Sequence, residues 1–359
     1  MQAPGIPRPD EYHRMIPHSR PLLGIEEEEV LGAVVRSGQL AAGERVLAFE
    51  RALRERVGLE HAVALSSGTS ALHVGLLALG VGQGDEVAIP SYVCSALLHA
   101  VRHAGARPLL IDVSPETFNL APEDLLKRMT RRTRAVIFPH MFGLPGNVEA
   151  LRPAGIPVVE DCAMSLGASK GGRPVGGLGD LSAFSFYATK MISCGEGGML
   201  GAQSEELAAR ARDLRQYDNQ DDDRIRFNYK MTDLQGALGV VQMGRLDAFV
   251  GRRRGLAARY RSALSGKGCR LPDESPDHIY YRFVIRQDRD VGELISAFER
   301  QGVAARRPVA WPLHRVLGAG GRDFPGAEEA YRQAISLPLY PALSEEEVET
   351  VIRAAREIL

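Results

Sequence analysis

Phe184-Ser185-Phe186-Tyr187-Ala188-Thr189-Lys190-Met191, with Gly195-Glu196-Gly197-Gly198 just beyond it, sets one lysine between a strand-like apolar run and a glycine-rich turn. A side chain placed there can be buried on one side and open to a ligand on the other. Basic residues in this chain are overwhelmingly arginine, and the only lysines are Lys127, Lys170, Lys190, Lys230 and Lys267. A guanidinium stays protonated and forms no imine, so chemistry on an aldehyde has to use a lysine made reactive by partial burial. Lys127 lies in a polar helical pattern, Lys170 and Lys267 adjoin glycines in turns, and Lys230 sits among charges. Lys190 alone has apolar flanks on one side and glycines on the other, the setting of a Schiff-base lysine.

Upstream, Ala62-Val63-Ala64-Leu65 reads as a short buried strand, and Ser66-Ser67-Gly68-Thr69-Ser70 opens a helix. Small hydroxylated residues around a glycine at a helix start gather free backbone N–H groups and hydroxyls, which makes an anion site or a plain N-cap. From Glu86 onward, apolar runs at 87–90, 108–112, 135–138 and 158–161 alternate with helical patterns near 95–103 and 121–129. Such alternation implies crossover connections and a mostly parallel sheet covered on both faces. Ligands collect at the carboxyl ends of the strands in such sheets. Asp161 ends its strand, Ser66 to Thr69 follow theirs, and Lys190 follows 183–186, so all three are expected on one edge.

The chain has 359 residues, 45% hydrophobic and 25% charged, with a net charge of −1. This is the composition of a globular protein of about two domains, without the basic field that gathers nucleic acid. The first 21 residues carry no apolar signal region and no run is long enough to span a bilayer, so a cytoplasmic location with no membrane partner is expected. Cys94, Cys162, Cys194 and Cys269 form no CxxC pair, which argues against a zinc site or disulfide framework; Cys162 and Cys194 are expected to pack beside a ligand. His99 and His103 stand at metal-ligand spacing, but no HExxH glutamate or third ligand accompanies them, and no metal is expected. Neither GxxxxGK[ST] nor a convincing GxGxxG follows a strand, which disfavours a Walker or dinucleotide fold.

Elsewhere the pattern is architectural. The acidic run Glu26-Glu27-Glu28-Glu29 reads as a solvated first helical turn, and a second helix follows over 44–57. The polar segment 215–226 reads as a surface loop or lid. A long helix is expected from Met231 through Leu246 and on into Tyr260, then a strand at 280–285 and helices near 291–301 and 344–358. The expected division is a large domain with an N-terminal arm over 1–245 and a small α+β domain over 246–359.

A helix-start anion site, a strand-end carboxylate and a semi-buried lysine are what pyridoxal 5′-phosphate (PLP) needs for its phosphate, ring nitrogen and aldehyde. Ser67-Gly68-Thr69-Ser70-Ala71-Leu72, Glu160-Asp161-Cys162-Ala163, 184–190, Gly195-Glu196-Gly197-Gly198, Asn228-Tyr229-Lys230-Met231 and Ser336-Leu337-Pro338-Leu339 occur in order over nearly the whole chain. In this the sequence resembles the DegT/DnrJ/EryC1/StrS family of PLP-dependent sugar aminotransferases. The resemblance implies the type I α/β fold of PLP-dependent transferases, a large domain with a seven-stranded, mostly parallel sheet and a smaller α+β domain. It further implies that Lys190 carries PLP covalently, Asp161 pairs with the ring nitrogen, and Ser67, Gly68, Thr69 and Ser185 hold the phosphate. Asn228 would reach the cofactor of the neighbouring subunit in a homodimer with shared active sites. Because Lys190 stands where the family's dehydratases have histidine, transamination is implied. The amino group would pass from glutamate or glutamine to a keto sugar, most simply a nucleotide-linked 3- or 4-keto sugar, by a ping-pong route through pyridoxamine phosphate. A keto-cyclitol acceptor and a non-catalytic regulatory protein are the alternatives.

The chain departs from the family pattern at several positions. Met164 and Leu166 stand where glutamine and histidine are usual, and Met191 and Lys230 replace an asparagine and an arginine. The aromatic residue over the cofactor ring falls on Cys94, or on Tyr92 if the register shifts. Arg215, Arg224, Arg226 and Lys230 are candidates for a groove binding a diphosphate.

Overall fold

The computed structural model describes residues 15–359; the first part of the expected N-terminal arm lies outside them. Five strands come first in the chain, β1 (His61–Leu65), β2 (Glu86–Pro90), β3 (Arg107–Ile111), β4 (Thr133–Pro139) and β5 (Val158–Asp161). A small hairpin, β6 (Ser169–Lys170) and β7 (Arg173–Pro174), precedes β8 (Leu181–Ser185) and β9 (Gly198–Ala202). Seven of these form one sheet in the order β1-β9-β8-β5-β4-β2-β3, parallel except for β9, which runs antiparallel to both neighbours. The central strands are near-continuous Val, Ile, Leu, Ala and Phe and are buried on both faces, as a helix-covered parallel sheet requires.

The helices are α1 (Ile25–Ser37), α2 (Glu44–Val57), α3 (Gly68–Ala78), α4 (Ala96–His103), α5 (Pro122–Arg128) and α6 (Glu205–Leu214), followed by α7 (Asp233–Gly244) and α8 (Leu246–Leu264). One face of the sheet packs Leu72, Leu76, Leu97 and Val101 of α3 and α4 on Val63, Ile89, Val159 and Leu200. Phe49 and Leu53 of α2 pack with Phe184 and Phe186 in a second cluster. Gly236 and Gly239 of α7 let it press on α2, where an added methyl would meet the Arg45 backbone at 2.7 Å or the Phe49 ring at 2.5 Å. In the remainder, α9 (Val291–Arg300), α12 (Glu345–Ile358) and the antiparallel pair β10 (Phe283–Arg286) and β11 (Ala334–Leu337) share a cluster around Tyr260, Phe283, Phe298 and Val351, while α10 (Leu313–Val316) and α11 (Pro325–Gln333) pack through Leu313, Ala327 and Ala330 into the cluster of the large sheet. Ile16 bridges to Val303, and His18 accepts or donates to Ser336 Oγ at 2.9 Å, so the N-terminal segment lies on this smaller sheet.

Three local expectations are corrected. Glu27 is buried rather than solvated: it receives the Gly24 N–H at 2.7 Å, Gln242 Nε2 at 2.6 Å and Arg245 Nη1 at 2.7 Å. The expected single long helix is two, because the backbone turns at Arg245, where Glu27 ties both α7 and the turn residue to α1. The strand expected from Tyr280 starts only at Phe283. The carbonyls of Tyr280, Tyr281 and Leu339 turn inward to the buried Arg253 guanidinium at 3.4, 3.0 and 2.9 Å, and Tyr280 takes a left-handed φ of 51°.

Candidate active site

β1, β8 and β5 run in the same direction, so their carboxyl ends lie along one edge of the sheet, and each delivers one chemical element. After β1, Ser67 caps α3: its Oγ accepts the Ser70 N–H at 3.0 Å while Ser70 Oγ accepts the Ser67 N–H at 2.9 Å. The cap satisfies Ser67 and Ser70, and the N–H groups of Gly68 and Thr69 keep no acceptor among the described residues. Those two donors sit at the positive end of the helix. Gly68 is required for a reason of space, since a Cβ there would stand 2.8 Å from the Ser185 Cβ and fill the cradle. Gly198 is similarly bound, with an added Cβ at 2.1 Å from the Ser67 carbonyl oxygen.

Asp161 is the last residue of β5 and is buried. One carboxylate oxygen accepts the Ala163 N–H at 3.0 Å; the other has no hydrogen bond among the described residues. Burial raises its pKa above the ordinary value, opposed by the Ala163 N–H and by the charge of Lys190. A carboxylate held in this way is poised for a cationic partner. Lys190 sits in the turn after β8, its N–H bonded to the Tyr187 carbonyl at 2.8 Å, with Gly195 and Gly197 taking positive φ so that the chain can fold back on Phe186 and Ala188. Its ammonium lies 5.6 Å from the centre of the Tyr281 ring. Tyr281 is buried, yet the cations Lys190, Arg282 and Arg253 and a Thr189 hydrogen bond outweigh burial and lower its phenol below the ordinary value.

Every residue expected at the cofactor except Asn228 lines one cavity of about 240 Å³: Ser67, Gly68, Thr69, Cys94, Asp161, Met164, Ser185 and Lys190. Leu72, Ala96, Ala163, Tyr187 and Glu196 complete its wall, none of them marked by the sequence reading as site residues. Tyr281 also escaped that reading, because it comes from a distant part of the chain and carries no local motif. Asn228 is exposed on the segment after α6 and does not reach this cavity. Of the two residues offered for the cofactor ring, Tyr92 is buried against Phe118 at a ring distance of 5.8 Å, while Cys94 lines the cavity. Cys162 and Cys194, expected beside the ligand, instead pack in the apolar cluster with Leu166, Phe186 and Met191.

The four cations offered for a diphosphate groove each meet a carboxylate. Arg215 meets Glu50 at 3.3 Å, Arg224 meets Asp222 at 3.7 Å, Arg226 meets Asp213 at 2.9 Å and Asp222 at 2.5 Å, and Lys230 pairs with Asp218. His140, Glu160 and Cys162 converge near the cavity. Both His140 nitrogens and both Glu160 oxygens are engaged in hydrogen bonds, which leaves this group a structural one. A larger cleft of about 560 Å³ at Asp112 has Lys127 on its wall, but its helix-start N–H groups, those of Gly326 and Ala327, are already taken by the Asp112 carboxylate, each at 2.8 Å.

The donor set fits PLP: an amine for its aldehyde, two unsatisfied N–H groups and two hydroxyls for its phosphate, and a buried carboxylate with one free oxygen for its ring nitrogen. Residues 21–356 match the DegT/DnrJ/EryC1/StrS aminotransferase family. The spore coat polysaccharide biosynthesis protein SpsC of Bacillus subtilis is 34% identical over 97% of this chain and 98% of its own length. The GDP-perosamine synthase of Caulobacter vibrioides is 32% identical over 94% of this chain and 96% of its own. Among solved structures, the putative sugar aminotransferase Spr1654 of Streptococcus pneumoniae in its PMP form superimposes with a TM-score of 0.90 at 26% identity, covering 96% of this chain and 97% of that one. With the cradle, the carboxylate and the lysine in one cavity and these likenesses along the whole chain, the protein belongs to the DegT/DnrJ/EryC1/StrS aminotransferase family and is a PLP-dependent transaminase.

Proposed function

We propose that this enzyme moves an amino group from glutamate, or glutamine, to a nucleotide-linked 3- or 4-keto deoxysugar, in two half-reactions at one site, as a cytoplasmic homodimer. The observation that carries this reading is the convergence of Lys190, Asp161 and the Ser67–Thr69 helix start on one cavity, together with the likeness to a GDP-perosamine synthase. Among the described residues no helix is long and apolar enough to cross a membrane.

When bound, PLP supplies the carbonyl carbon that carries the amino group and the ring that takes up the electron pair left at the donor Cα. Lys190 Nζ binds the cofactor and, once released, takes the proton from the donor Cα and returns one to the acceptor. The face of Tyr281 holds the free ammonium of Lys190 near its work. The free Asp161 oxygen would pair with the ring nitrogen and favour its cationic form, in a setting too dry to weaken the pair. The Gly68 and Thr69 N–H groups, Ser67 and Ser185 would hold the phosphate, and Met164 and Cys94, on the same cavity wall, would lie against the ring. Asn228, exposed on its segment, reaches the neighbouring protomer's phosphate. The proposed division, a large unit over 1–245 and a small one over 246–359, is supported by the break between α7 and α8 at Arg245.

The pairing of Arg215, Arg224, Arg226 and Lys230 with carboxylates favours a second reading, a keto-cyclitol without a nucleotide. Initial rates with glutamate and a panel of UDP-, dTDP- and GDP-linked keto sugars decide between them. Parallel double-reciprocal lines with one nucleotide-linked ketone support the proposal; intersecting lines, or turnover of free keto-cyclitols alone, would contradict it.

A further inference from the structure

Trp311 is the only tryptophan of the chain, and it is 61% exposed. It lies just before α10, and its ring is mounted rather than loose. It stacks on Tyr331 with centroids 6.0 Å apart and planes 26° from parallel. The guanidinium carbons of Arg307 and Arg315 stand 4.5 and 4.2 Å from the centre of the same Tyr331 ring, and Arg307 also donates to the Tyr331 carbonyl. Arg315 is held by Glu328, its Nε donating at 2.7 Å. Arg306 is paired with Glu299 at 3.1 Å, whereas Arg307 has no carboxylate partner among the described residues. A large flat ring held open to water on a fixed support forgoes the gain of burial and keeps one face free for stacking.

This platform is joined to the cofactor cavity through one loop. The Leu313 N–H donates to the Ser91 carbonyl at 2.7 Å, and Ser91 Oγ meets His314 Nδ1 at 2.5 Å. Ser91 opens the loop after β2 on which Cys94 faces the cavity. Tyr92, between them, packs on Phe118 and lies in the field of Arg307. The platform is therefore tied through Leu313 and His314 to the loop at the carboxyl end of β2 that brings Cys94 to the cavity.

We propose that Trp311 and Arg307 form the subsite for the base and diphosphate of the acceptor's nucleotide, Trp311 stacking on the base and Arg307 pairing with the phosphates. The inference rests on the keto-sugar reading and supplies the nucleotide site that the paired cations of 215–230 do not. Every base has a π-face, so a stacking ring holds it without a dedicated hydrogen-bond set, and a guanidinium fork matches phosphate oxygens in pairs.

A single tryptophan makes the test direct. The PLP-loaded full-length enzyme is titrated with UDP, dTDP, GDP and, as a control, inorganic pyrophosphate, while tryptophan emission is followed. Saturable quenching by at least one nucleoside diphosphate and none by pyrophosphate is expected, with the Kd raised on the order of tenfold in Arg307→Gln. Trp311→Ala should raise the KM for the nucleotide-linked ketone on the order of tenfold, more than it lowers kcat. The glutamate-driven change in PLP absorption, measured on the same variant, reports that its fold and cofactor site are intact. Absence of quenching by all three nucleotides, or an unchanged KM in Trp311→Ala, overturns the subsite. So does a Trp311→Ala protein that falls apart into monomers without a nucleotide effect, which would make the ring an interface between copies. Failure of the wild type to use any nucleotide-linked ketone would instead strike the parent reading, and the two outcomes are separate measurements.

Discussion

Glu160 and Asp161 are neighbours at the end of β5, both carboxylates and both buried, and they have opposite fates. Alternation along the strand sends their side chains to opposite faces. Glu160 meets the 176–179 turn, where its Oε2 accepts His140 Nε2–H and the Gly176 N–H, each at 2.9 Å, and its Oε1 accepts the Leu178 and Gly179 N–H groups, each at 2.7 Å. The Gly146 N–H donates to His140 Nδ1 at 3.1 Å, which fixes the proton on Nε2. Although burial acts to raise it, these donors hold Glu160 below the ordinary carboxyl value. Asp161 has one N–H, a free oxygen and a raised pKa. Burial alone therefore does not mark a functional carboxylate. What marks it is burial without enough donors, because the unmet demand is a binding energy reserved for a cation.

Replacing each residue by its amide should split the two roles. Asp161→Asn should lower kcat on the order of 10²–10³-fold. Because its pKa is higher folded than unfolded, the ionised form weakens the cofactor-free protein as pH rises through that interval. Asp161→Asn without PLP should then melt at neutral pH no lower than the wild type, and lose most of the stabilisation that added PLP gives. A markedly lower melting temperature without PLP would place Asp161 with the structural group.

Glu160→Gln should do the reverse, costing about 3–5 kcal/mol of stability by removing the charge from a buried network. Activity per folded molecule should survive at permissive temperature. Glu160 is lowered on folding, so its contribution is present above the unfolded carboxyl range and lost as pH falls through the folded value. The melting difference between wild type and Glu160→Gln should accordingly close at acid pH, which thermal melts across pH would follow. Gly68→Ala ranks next, with a methyl forced against Ser185 costing about 1–3 kcal/mol, read as weaker PLP binding by fluorescence or dialysis. Cys94→Ala should be the mildest, within a few-fold in kcat/KM, because the thiol only covers apolar surface.

The functional side of this contrast was the more legible in sequence. A hydroxyl-glycine helix start, a strand-end aspartate and a lysine between apolar and glycine runs each follow from local rules of backbone and side chain. The parallel sheet followed from apolar runs too continuous for one-sided burial. The structural side was closed to such a reading, since the donors to Glu160 come from turns with no periodicity, and a glutamate beside an aspartate looks like its equal. The same limit hid Tyr281 and the burial of Tyr92 away from the cavity, both decided by how a loop packs. Arg215 and Arg226 looked like ligands for phosphate because a charge in sequence does not show its partner. The backbone turn at Arg245 was hidden by helix-forming residues on both sides, and only the buried Glu27 of α1 explains where it falls.

The central claim, that Lys190 and Asp161 serve a PLP site at this sheet edge, is tested most directly by the absorption spectrum of the purified protein with PLP, before and after L-glutamate, beside Lys190→Ala. The wild type should show a visible band that glutamate bleaches, and Lys190→Ala should lack the protein-bound band and the amino transfer. A wild type without the band, or a band that Lys190→Ala leaves unchanged, would contradict the assignment of Lys190.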